Sequence, residues 1–149
     1  MTPRAQNAEE GQLMVMIVGY VALALLVATV VIGISSVYVE HKRLLSLADG
    51  ASLAAADSYT LGDVSSQGGT PSAVLSPSRV RNVAADFVER SPASQRFSGL
   101  AVAGGTGSPD GSTAVVVLTA EVHPPVVNFL IPDGIRIEAT STARSRLTR

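Results

Sequence analysis

The sequence predicts an α+β protein in which a long N-terminal helix crosses a membrane, continues as a stalk, and ends in a small head with one helix on a three-stranded antiparallel sheet. Three observations carry that prediction. Leu13 to Val39 is an unbroken apolar run, Val80 to Val88 repeats at helical spacing, and the last third of the chain reads as strands. The 149 residues hold 11 basic and 12 acidic side chains, no Cys and no Trp. That leaves room for one small folded domain, with no disulfide, thiolate metal site or cysteine nucleophile. A net charge of -1 gives no overall attraction to nucleic acid. The mean hydropathy of +0.34 is high for a water-soluble domain, and the apolar residues are concentrated near the N-terminus.

Residues 1–12 read as a cytoplasmic segment or leader. From Leu13 to Val39 the chain has 27 residues whose only ionisable groups are the phenols of Tyr20 and Tyr38. As a helix this run reaches about 40 Å, more than the ~30 Å hydrocarbon core requires. Glu9 and Glu10 stand before it and Glu40, His41, Lys42 and Arg43 after it, so both boundaries are sharp. The flanking charges slightly oppose an exported head, because Lys42 and Arg43 follow the span while Arg4 and the N-terminal amine precede it. The reading nevertheless places the N-terminus in the cytoplasm and the head outside.

Residues 40–59 contain good helix formers, interrupted only by Gly50, and are expected to extend the same rod. Leu44, Ala48, Ala51 and Ala55 recur at spacings of four, three and four. Such a stripe forms a packing face on which alanines permit close approach of another helix. Gly50 costs about 1 kcal/mol relative to Ala and marks a local weak point. Residues 60–76 form a Gly/Ser/Pro-rich linker, and 77–149 the head.

In the head, Ser76-Pro77 signals a helix start, and Val80, Val83, Ala84, Phe87 and Val88 mark one face before Ser91-Pro92 closes the helix. A weak strand is expected over 96–103, a turn-rich loop over 104–112, and a well-covered strand over 113–122. Ile135, Ile137 and Ala139 alternate with Arg136, Glu138 and Thr140 in a third strand over 135–144. Between the last two strands, Val126, Val127, Phe129, Leu130 and Ile131 are apolar but flanked by prolines. They are read as contacts that either plug the core or dock on a partner.

The residues around the span carry a family resemblance. Arg43-Leu44, Leu47-Ala48-Asp49-Gly50-Ala51 and Leu53-Ala54-Ala55-Ala56, placed directly after an apolar helix introduced by EEGQLMVM, resemble the N-terminal region of TadE/TadG-like proteins of Flp (tight adherence) pili over about residues 8–58. The resemblance implies a pilin-like plan, with a small α+β head on an N-terminal helix. It implies as partners other pilin-like subunits, the pilus assembly machinery and a prepilin peptidase, with the lipid bilayer as surroundings. Gly11 and Gln12 become a candidate processing site, beside the favoured reading of an uncleaved anchor or a minor or tip subunit. In processed relatives the fifth residue after the cleavage point is usually Glu; here that position is Met16. An intramembrane carboxylate is costly, so this chain neither bears that cost nor offers that docking charge.

Chemistry for catalysis is sparse. His41 and His123 are the two imidazoles, neither with an evident partner in sequence, and no phosphate loop, nucleophile elbow or metal-ligand spacing occurs. No cofactor and no metal are expected, and no enzymatic activity. The leading expectation is a structural subunit or assembly component of a Tad/Flp-type pilus or secretion apparatus. The alternative is a single-span envelope protein whose head binds a ligand or partner without a filament role.

Overall fold

The computed structural model describes the backbone of residues 4–58, 74–124 and 133–145, with side chains from Gly11 onward. Helix α1, Arg4–Ala56, is one continuous element of 53 residues, about 80 Å at the standard rise. Helix α2, Pro77–Arg90, is followed by a 3-10 turn, Pro92–Arg96. Strands β1 (Ser98–Val102), β2 (Thr113–Val122) and β3 (Ile135–Arg144) form an antiparallel sheet in the order β1-β2-β3.

The long strands and α2 start and end where the sequence pattern places them. Pro77 occupies the first turn of α2, where its missing N–H costs nothing. The Ser76 hydroxyl does not cap the helix; it lies 2.8 Å from the Ser78 hydroxyl. The predicted face of α2 is the packed one: Val80, Ala84 and Val88 are buried, and Val83 and Phe87 lie half-buried against the same core. The weak first strand starts later than expected because Arg96 belongs to the preceding 3-10 turn, and within it a register shift lies between Ser98 and Ala101, where Gly99 has φ +58°.

The 104–112 segment does more than turn. Gly107 exchanges backbone hydrogen bonds of 2.9 and 2.8 Å with Val115, and Ala103 N–H donates to the Val117 carbonyl at 2.8 Å. The buried Thr106 hydroxyl donates to the Val117 carbonyl (3.2 Å) and accepts from the Val117 N–H (3.0 Å). The loop thereby replaces β1 as the partner of the first half of β2. Its end is fixed by Asp110, whose carboxylate accepts from the N–H groups of Ser112 and Thr113 and from the Thr113 hydroxyl. Those bonds hold the Asp110 carboxyl well below the usual range.

One face of the sheet carries the core. Ala114, Val116, Leu118, Ala120 and Val122 of β2 and Ile137, Ala139 and Ser141 of β3 are buried, while Arg136, Glu138, Thr140, Thr142 and Arg144 line the exposed face. Helix α1 packs over β3 and β2, and α2 packs against α1 and β2. The expected division into a separate stalk and head is therefore not how the core is built. The C-terminal part of α1, from Val37 to Ala56, forms one wall of the head. A 73-residue head with three strands and one helix has little apolar area of its own, and the second helix supplies the missing layer.

Candidate functional site

Helix α1 meets two surroundings along its length. From Leu13 to Ile34 its large apolar side chains are exposed on every face: Met14, Tyr20 and Ile34 are 70%, 70% and 67% exposed. It is long and apolar enough to cross a membrane, and none of its apolar window is buried by the rest of the chain. A core helix of a soluble protein has the opposite property. Cover on the helix begins at Gly33, which is buried, and continues at Ser36 and Val37, which are half-buried. The run up to the first covered residue is Leu13 to Ile32, about 30 Å of helix, which matches the ~30 Å hydrocarbon thickness. The apparent excess length of the run is therefore the part used inside the head.

Beyond Val37 the helix becomes one-sided. Leu44, Ala48, Ala51 and Ala55 are each 0% exposed, with Leu47 and Ala56 beside them. The predicted stripe is a packing face, but what covers it is this chain's own sheet and α2 rather than a neighbouring rod. Alanines suit this contact because the sheet positions beneath include Ala114, Ala139 and Ser141, and small residues on both sides let the layers approach. Ser52, also buried, donates to the Asp49 carbonyl (2.9 Å) and lies 3.1 Å from the Ser141 hydroxyl. This polar tie between α1 and β3 was not apparent from either residue's position in sequence.

Gly50 has a purpose beyond weakening the helix. A Cβ there would lie 2.7 Å from Phe87 Cζ, so the missing side chain makes the seat for the aromatic ring where α1 and α2 meet. His41 has a partner too. Its Nε2 lies 3.0 Å from the Glu138 carbonyl, an acceptor that requires the proton on Nε2, and the bond caps the free edge of β3 beside the membrane end of the head. His123 packs over Gly134, a positive-φ glycine whose Cβ would stand 2.9 Å from His123 Nε2. Neither histidine is hydrogen-bonded to a carboxylate or hydroxyl nucleophile among the described residues.

Gly11 and Gln12 stand exposed within α1, with open space around Gly11. Val126, Val127, Phe129, Leu130 and Ile131 lie outside the described residues, so their predicted contacts are not located. The other side of α1 in the head presents Lys42, Arg43, Ser46, Asp49, Leu53 and Asp57 to solvent. Lys42 Nζ sits 5.6 Å from the Tyr38 ring centroid, and Arg43 is 2.6 Å from Glu40. This is a charged, water-facing surface except at Leu53.

No curated protein and no solved structure matches the chain. Residues 11–58, which take in the exposed apolar length of α1 and its head-bound continuation, match the family described as "Putative Flp pilus-assembly TadE/G-like", and this match associates the chain with Tad pilus assembly in general.

Proposed function

We propose that the chain is a structural, non-enzymatic subunit or assembly component of a Tad/Flp-type pilus or related secretion apparatus. The carrying observation is the coincidence of the TadE/G-like match over residues 11–58 with a helix that is exposed and apolar over one half and locked into a small α+β head over the other. The span anchors the protein in the cell membrane as a single pass, with the N-terminus cytoplasmic and the head outside. Lateral contact in the bilayer is made by apolar helix faces, among which Ala22 and Thr29 are small enough for close approach. Its partners are other pilin-like subunits and the assembly machinery.

Gly11-Gln12 is the proposed site for a prepilin peptidase. Cleavage there removes the segment that holds the N-terminus outside the hydrocarbon and leaves the apolar helix at the new end. Mapping the N-terminal peptide of the mature protein tests processing: a start at Gln12 supports a processed subunit, and an intact segment before Gly11 makes the chain a lasting anchor. Shearing surface fibres from cells tests the assembly role. Recovery with fibres supports a filament component, whereas complete retention in membranes, unchanged by loss of the fibres, favours an envelope protein with no filament role.

A further inference from the structure

Beyond the apolar run Leu13 to Val39, the large apolar side chains left exposed among the described residues are Leu53, at 59%, and Val74. Leu53 lies between Asp49 and Asp57 at spacings of four, and Asp57, in the turn just past α1, donates its N–H to the Leu53 carbonyl (3.0 Å), so these three form a ridge along the end of the helix, apolar at its centre and acidic at both ends. About a quarter turn around the same helix is a groove between α1 and the α2–turn segment. It consists of two clefts of about 480 Å³ each that meet at Phe87, Ser91 and Pro92. Apolar groups from both helices line it, and Arg43, Arg90 and Arg96 stand at its rim. Arg43 and Arg90 have carboxylate neighbours, Glu40 and Asp86, while Arg96 has no ion pair among the described residues.

We propose that copies of this chain pack side by side in the bilayer with the Asp49–Leu53–Asp57 ridge of one copy seated in the α1–α2 groove of the next. The inference rests on the membrane-anchor reading, and it holds whether or not the assembly is a pilus. Copies inserted in one bilayer are parallel and stand at the same depth, so a residue of one meets residues of the other at its own height. The upper cleft is lined by Ala54, one residue and about 1.5 Å along the helix from Leu53. Ridge and groove are thus already in register without axial sliding. Leu53 enters the apolar upper cleft, and Asp49 stands six residues, about 9 Å, above Arg43, on the side of the lower cleft whose rim carries the long Arg43 and Arg96 side chains. Because ridge and groove are different surfaces of the same copy, the contact is heterologous. Each copy retains a free ridge or groove, and association continues past a pair.

The absence of Cys makes the test direct. In native membranes, the double variant Leu53→Cys/Ser91→Cys treated with a short bis-maleimide cross-linker is expected to give a ladder of dimer, trimer and higher species. Leu53→Cys alone is expected to give none, and Leu53→Cys/Thr142→Cys, which uses the far face of the sheet, is likewise expected to give none. A second pair, Leu53→Cys/Val83→Cys, repeats the ladder test at the other wall. The inference is overturned if neither pair yields a ladder, or if Leu53→Cys alone gives an equally abundant dimer, which would make the contact symmetric. Carbonate extraction of the same membranes separates the two levels: retention without a ladder defeats this contact alone, and release of the protein defeats the anchor beneath it.

Discussion

The two halves of α1 use the same helical geometry against different solvents. Between Leu13 and Ile34, bulky side chains point in all directions and remain exposed; between Val37 and Ala56, apolar groups narrow to a stripe rich in alanine that is fully covered. Lipid conforms to any apolar shape, so the first half needs only hydrophobicity. A protein partner is rigid and close-packed, so the second half must also fit in size. Residue volume therefore distinguishes the two halves at least as well as hydropathy does.

Deleting side-chain volume at matched positions tests that distinction most strongly. Leu44→Ala is expected to destabilise the head by about 2–5 kcal/mol, because it leaves a cavity beneath a side chain with no exposure. Leu25→Ala, in the first half, is expected to leave the head unchanged. Amide exchange of β2 in detergent micelles measures both, and an equal loss of protection in the two variants would dissolve the comparison.

Charge reverses the sensitivity. Leu26→Lys, near the middle of the span, is expected to disfavour insertion by about 3 kcal/mol and to lower the carbonate-resistant fraction. Leu53→Lys, equally apolar in the wild type but in water, is expected to leave that fraction intact. Retention of Leu26→Lys at the wild-type level would show that this half is not held in lipid.

At the helix crossing the expected effects are smaller. Gly50→Leu pushes Phe87 out of its seat and is expected to cost about 1–3 kcal/mol, read by the same exchange experiment. Ser52→Ala strands the buried Ser141 hydroxyl and is expected to cost about 1 kcal/mol. Ser141→Ala should cost less, since Ser52 keeps its bond to the Asp49 carbonyl. The smallest effect is electrostatic and confined to acid. A depressed Asp110 pKa contributes stability that is fully present above the unfolded value of about 4 and is lost as pH falls through the folded one. Asp110→Asn is expected to remove that part of the acid dependence, seen as a flatter unfolding midpoint below pH ~4.

Much of this fold is local and was therefore legible in the sequence. The span follows from 27 apolar residues, α2 from the Val80–Val88 period, and β3 from strict alternation, each of which is decided within a few turns or strand residues. What was not legible depends on contacts distant in sequence. The partner of the Leu44–Ala55 stripe lies about a hundred residues away in β3, and a stripe looks the same whether its cover is a sister helix or its own sheet. Gly50 read as a defect because Phe87, which occupies the space it leaves, is on another helix. His41 and Ser52 gained roles only once β3 had been brought beside α1. The ridge at Leu53 and the groove beside it emerged in the same way, from subtraction: they are what remains on α1 after the head has taken its share.

The absence of any proline from α1 has a mechanical consequence. Bilayer and head are joined by a single uninterrupted rod, and the head grips about 20 residues of it, so there is no joint at the water boundary to absorb motion. Leaning the span by about 20°, a usual inclination for such helices, carries the far end of the head sideways by about 10 Å over a 30 Å arm. Membrane thickness and neighbour contacts inside the lipid thus set where the outer surface points, and a change in one is delivered to the other as a lever delivers displacement.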